Sequence, residues 1–80
     1  MSEFIWIPWN IQKIANHALA PNEVEFAWHS SQILRTKQHP VNGDYYESEG
    51  SCPSGRRIRI VWRYDVDIDG EQKVFVITAY

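Results

Sequence analysis

A single cysteine, Cys52, cannot form an intramolecular disulfide, which fits a reducing cytoplasm. No apolar run approaches the roughly 20 residues that a membrane-crossing helix needs. The opening Met1-Ser2-Glu3 is acidic, and the apolar stretch over residues 4–9 is too short for the hydrophobic part of a signal peptide. A basic excess is missing too. The formal net charge is −2, which argues against a protein that binds nucleic acid over its whole surface but leaves room for a local basic patch. Internal repeats and low-complexity tracts are absent, and glycine and proline number only four each, so each one is informative as a break.

Aromatic residues, in contrast, are plentiful: four Trp, four Tyr and three Phe in 80 residues. A chain of this length forms one domain, residues 1–80, with one small core. It needs dense aromatic packing, a partner, or both, to be stable.

The first breaks delimit two helices. Residues 4–7 are an apolar run ended by Pro8, the pattern of an edge strand. Asn10 is a suitable N-cap, and Ile11, Ile14, Ala15 and Ala18 recur on one helical face, predicting a helix at about residues 10–18. Pro21 suits the first position of a second helix, with Ala20 as a poor N-cap and Glu23 and Glu25 near the positive end. Val24, Ala27 and Trp28 form its apolar stripe, and residues 29–31 end it.

The remainder reads as four strands. They are expected at residues 33–38, 44–49, 56–67 and 72–80, separated by a Pro and Asn-Gly turn at 39–43, a loop at 50–55 and an Asp69-Gly70 hairpin. The continuous apolar run at 74–77 suggests a strand in the sheet interior, buried on both faces. The predicted fold class is α+β, in the order β-α-α-β-β-β-β, an antiparallel sheet with the two N-terminal helices packed on one face.

Two groups of residues carry chemistry. Alternation along 56–67 puts Ile58, Ile60, Trp62 and Tyr64 on one face and Arg57, Arg59, Val61 and Arg63 on the other. Three arginines on an open sheet face suit phosphate groups, since each guanidinium donates paired hydrogen bonds. The plainer reading is a solvated face whose arginines pair with Glu47, Glu49 or Asp65. At the end of the first helix, His17 complements the helix terminus or serves as a general acid or base, and Lys13, one turn earlier, shares its face. The stretch Asp65-Val-Asp67-Ile-Asp69-Gly70 imitates the start of a calcium loop, but position twelve is Val76 rather than Glu, so an acidic hairpin turn is the better account. Cys52 and the three histidines lack zinc-ligand spacing, and the sequence implies no metal or other cofactor.

Residues 9–25 read W-N-x-x-K-I-x-x-H-x-x-x-P-x-E-V-E. This segment resembles the N-terminal part of the BrnT-like toxins, small members of the RelE/ParE superfamily from bacterial toxin–antitoxin operons. Trp9-Asn10 resembles the pair that opens that family's first helix, Lys13 and His17 its K-H-G corner, and Pro21, Glu23, Val24 and Glu25 the start of its second helix. Further on, residues 57–64 look like its penultimate strand, and residues 74–79 like its final strand, which commonly ends I-[ST]-A-R. Ala18 stands in place of the corner glycine, Tyr80 in place of the terminal arginine, and the family's C-terminal basic helix has no counterpart in these 80 residues.

The resemblance implies a toxin-like component of a bacterial toxin–antitoxin system, a metal-independent mRNA endoribonuclease partnered by a cognate antitoxin. On that reading Arg59 and Arg63, with Arg57 beside them, hold RNA phosphate. His17 or Lys13 moves the proton, and Tyr80 substitutes as a donor or stacking ring. The alternative is a non-catalytic interaction domain on the same scaffold, for example a homodimer joined through the sheet; a small-molecule site on the sheet face is a third option.

Overall fold

The computed structural model describes residues 3–41 and 43–80. Strand β1 (Phe4–Ile5) is followed by α1 (Pro8–Ala15) and α2 (Pro21–His29), then by β2 (Gln32–His39), β3 (Gly43–Ser51), β4 (Arg57–Val66) and β5 (Gln72–Ala79). This is the expected α+β order. The sheet runs β1-β5-β4-β3-β2. Its last four strands form an antiparallel meander, but β1 lies parallel to β5, with Phe4 opposite Val74 and Ile5 opposite Phe75. The sheet is therefore mixed rather than antiparallel. Hairpins fix the direction of β2 to β5 relative to one another, whereas β1 is joined to them only through two helices. The Asn-Gly turn signal is only half observed: Asn42 lies outside the described residues, and Gly43 takes φ +77°.

The start of α1 corrects the expected cap. Pro8 occupies the first helical turn, where its missing N–H costs nothing, so the helix begins two residues before Asn10. Asn10 instead becomes a bracket between helix and sheet. It is fully buried; its Oδ1 accepts from the Ile7 N–H at 2.7 Å, and its Nδ2 donates to the carbonyls of Ile5 at 2.9 Å and Val76 at 3.0 Å. The short strand β1 ends after Ile5, and Asn10 satisfies the next carbonyl along β5 that a longer strand would have paired.

Helix α1 also ends earlier than expected, at Ala15. Ala18 turns the chain with φ +57°, and the Leu19 N–H reaches back to the Ile14 carbonyl at 3.1 Å. That is the left-handed closing turn usually given to glycine. In α2 the expected Ala20–Pro21 start is observed, and the missing side-chain cap is offset by Glu23, whose Oε1 accepts from the Ala20 N–H at 3.0 Å. The hydroxyls of Ser30 and Ser31 bond the carbonyls of Ala27 and Trp28 at its other end.

Both helices cover one face of the sheet. Ile14, Leu19, Val24 and Ala27 pack there against Ile58, Ile60, Trp62, Val74, Val76 and Ala79. The buried Ser48 hydroxyl accepts from Trp62 Nε1 at 2.7 Å, which lets a tryptophan sit in the core with its N–H satisfied. Helix α2 approaches β3 so closely that a Cβ on Gly50 would lie 2.1 Å from the Ala27 carbonyl oxygen. The expectation that β5 is buried on both faces holds for one face only: Val74 and Val76 are in the core, while Phe75 and Ile77 are half-buried on the other side.

Candidate functional site

The face of the sheet away from the helices is open, and β4 places Arg57, Arg59, Val61 and Arg63 on it by simple alternation. Each arginine meets a carboxylate. Arg57 Nε lies 3.1 Å from Glu49, an Arg59 nitrogen 3.5 Å from Glu47, and an Arg63 nitrogen 3.1 Å from Asp65. The cross-strand register explains two of these pairs, since Arg59 stands directly opposite Glu49 and Val61 opposite Glu47, one step along. The solvent-facing pairs of Arg57 and Arg63 contribute about 0–1 kcal/mol each, whereas Glu47 is buried beneath Arg59. Their larger effect is electrostatic, because three cations are matched by three carboxylates.

Beside them runs an aromatic ladder. Trp9, from the first turn of α1, stacks on Phe75 of β5 at 6.1 Å with planes 16° apart. Lys13 Nζ sits 5.1 Å from the Trp9 ring, and the Arg63 guanidinium 4.8 Å from the Phe75 ring. Lys13 therefore belongs with Trp9 and not on a face shared with His17, as the sequence suggested. The reason is the early helix end: His17 falls in the turn after Ala15, where helical spacing no longer applies.

His17 instead approaches Tyr80, with ring centroids 6.0 Å apart. Tyr80 extends β5 by exchanging both backbone hydrogen bonds with Arg59, at 2.8 and 2.9 Å. Of the six residues singled out from the sequence, the structure thus joins His17 to Tyr80 at one end of β4, and Lys13 to the Arg63 side of the ladder. Sequence reasoning missed Arg56. Its guanidinium donates to the carbonyls of His17 at 2.9 Å and Ala18 at 3.4 Å, closing the C-terminal end of α1 and positioning the His17 turn. Its place next to the Gly55 turn was the only signal available.

An irregularity in the β4–β5 register, where Val61 faces Thr78 and Trp62 faces Val76, leaves Ile77 without a partner. Ile77 lines a groove of about 340 Å³ on the open face with His39, Gly43, Tyr45, Val61 and Arg63. The outermost strand, β2, is exposed at all eight positions.

The acidic hairpin is occupied from within. Lys73 Nζ lies 2.6 Å from Asp67 and 3.2 Å from Asp69. The Lys73 hydrogen bond and the Ile68 N–H hold the Asp67 carboxyl below the usual carboxylate range; for Asp69 the Glu71 N–H does most, with Lys73 second. The same contacts raise Lys73. Among the described residues no three His, Cys, Asp or Glu side chains are grouped to hold a metal ion. Cys52 is buried, and burial pushes its thiol up, with Glu23 adding to the effect. Among the described residues no helix is long and apolar enough to cross a membrane. The chain matches no family model, no curated protein and no solved structure.

Proposed function

We propose that the protein is a toxin-like component of a bacterial toxin–antitoxin system, cytoplasmic, with its open sheet face as the surface that a cognate antitoxin covers. The observation that carries this reading is the open face itself. The helices pack their cores on one side of the sheet, and the other side presents Phe75, capped by Trp9 from the start of α1, and a groove lined by Val61 and Ile77 with the Arg63–Asp65 pair beside it. Apolar surface framed by polar groups is the anatomy of a protein interface. The resemblance of residues 9–25 to BrnT-like toxins supplies the biological context.

The two forms of this reading differ in catalysis. A non-catalytic interaction domain, including a homodimer, is favoured by the carboxylates that hold Arg57, Arg59 and Arg63. A metal-independent mRNA endoribonuclease is favoured by the approach of His17 to Tyr80 beside the Arg59 backbone. On that form of the reading the imidazole and the phenol share proton transfer at a ribose hydroxyl, and Arg59, the cross-strand neighbour of Tyr80, supplies the cation. Growth after tight induction in a bacterial host, with RNA ends mapped, separates them. Arrest with new mRNA cuts, lost in His17→Ala and in Arg59→Ala/Arg63→Ala, establishes the ribonuclease. Normal growth and intact RNA from folded protein leave the interaction domain.

A further inference from the structure

The chain holds eight lysines and arginines. Six are engaged in the contacts described above, with carboxylates, backbone carbonyls or the Trp9 ring. Arg35 and Lys37 are the two without a partner among the described residues, and both lie on β2. Residues 32–39 contain no acid at all, in a chain whose formal charge is −2.

Their placement is regular. Arg35 stands opposite Glu47 and Lys37 opposite Tyr45, so both side chains share the open face, two residues apart. Glu47 does not neutralise Arg35, because its carboxylate is held by Arg59. A register shift between Ile33 and Arg35 sets off residues 35–39 as an uninterrupted run against 43–47. Among the described residues β2 has no neighbouring strand on its outer side, so alternate N–H and C=O groups along this run point away from the sheet.

We propose that the outer edge of β2, over residues 35–39, takes an extended acidic segment of a partner protein as a sixth strand. Main-chain hydrogen bonds supply the pairing, and carboxylates at alternate positions of the incoming strand sit beside Arg35 and Lys37. The proposal rests on the reading of this protein as a partner-binding component and specifies which partner chemistry it selects. A second copy of the chain is the wrong occupant, since pairing β2 with itself sets Arg35 and Lys37 among their own like charges. The same two cations that discourage self-association therefore choose an acidic strand.

The test uses the full 80-residue chain, isotope-labelled, and three probes: a synthetic peptide alternating Glu with Val, the same peptide with Lys for Glu, and a single-stranded oligoribonucleotide. Amide chemical shifts and hydrogen exchange are followed by NMR. The expected result is that the Glu peptide slows exchange at outward-facing amides within 35–39. Arg35→Glu/Lys37→Glu weakens it more than about tenfold, as loss of two cross-strand charge pairs and their replacement by like-charge repulsion predict, and the Lys peptide binds that variant instead. Arg35→Gln/Lys37→Gln falls between, which keeps the test readable if charge reversal disturbs the fold. Equal binding to wild type and the reversed variant, or absence of protection at 35–39, overturns the proposal. So does an oligoribonucleotide that occupies 35–39 where the Glu peptide does not. A Glu peptide that shifts Val61, Phe75 and Ile77 while sparing β2 also overturns it, yet leaves the open-face interaction reading intact. Only the growth experiment and partner capture bear on that wider reading.

Discussion

Replacing Gly50 by alanine tests how tightly α2 is seated on the sheet. The added Cβ would stand 2.1 Å from the Ala27 carbonyl oxygen, 3.0 Å from its carbon and 3.1 Å from the Ser31 Cβ. Ordinary contact begins at about 3.4 Å, so helix and strand must part by roughly 1 Å or more. The obstacle is backbone, so no rotamer change relieves it. Parting loosens Val24 and Ala27, both fully buried against the sheet. Overpacking of this kind costs about 1–3 kcal/mol, and a backbone clash belongs at the upper end. Alanine returns roughly 0.4–1 kcal/mol by restricting the unfolded chain. The net loss is about 2 kcal/mol, out of a stability of roughly 4–12 kcal/mol for a domain this size. The corresponding fall in Tm is about 8–16 °C. Thermal and urea unfolding, followed by tryptophan fluorescence and circular dichroism, measure both. Ala27→Gly does not restore the loss, because the clash is with a carbonyl that glycine keeps. A Gly50→Ala protein within about 0.5 kcal/mol of wild type, a change typical of a neutral surface site, would refute the close-packing argument.

Other positions give independent expectations. Ala18→Gly relieves a left-handed alanine at φ +57° and raises stability by about 0.5–1 kcal/mol after the added unfolded-state entropy, read as a higher urea midpoint; a lower midpoint contradicts it. Asn10→Ala strands the Ile7 N–H and the Ile5 and Val76 carbonyls and lowers stability by about 3 kcal/mol, measured by the same unfolding curves. The Asp67–Asp69–Lys73 clamp has a defined pH window. Lowered carboxyl pKa values stabilise the folded hairpin above the ordinary 3.8 and lose that effect as pH falls through the folded values. The raised Lys73 contributes below its ordinary 10.5 and loses its effect as pH rises through the folded value. Protection at the Ile68 and Glu71 amides, the intrinsic exchange rate at each pH divided by the observed rate, should therefore hold between these limits and fall below the acid one. Cys52, buried and with its thiol pushed up, should react with an alkylating reagent at pH 7.5 on the order of 10³-fold more slowly in the native than in the unfolded protein.

Local chemistry made the element order legible. Pro21 with Glu23 marked the start of α2, Asp69-Gly70 marked a hairpin, and two-residue alternation from Arg57 onward separated Ile58, Ile60 and Trp62 from the arginines. The plainer account of those arginines, pairing with Glu49, Glu47 and Asp65, is what the structure holds. The helix boundaries were less legible. Asn10 looks like a cap in sequence, but its partners include the carbonyl of Val76, 66 residues away. Apolar periodicity running through Ala18 puts Lys13 and His17 on one face, but no pattern of apolar residues reveals the positive φ of Ala18, where the helix has already ended.

By itself the sequence determined the elements, the buried face of β4 and the acidic hairpin, because each depends on spacing within a few residues. Tertiary structure alone decided that β1 joins β5 in parallel, that Asn10 brackets the sheet edge and that Gly50 admits α2. It also decided that His17 meets Tyr80 while Lys13 meets Trp9. These contacts join residues far apart in the chain. They are set by how two helices fold back over a sheet, a choice made by the packing of the whole core.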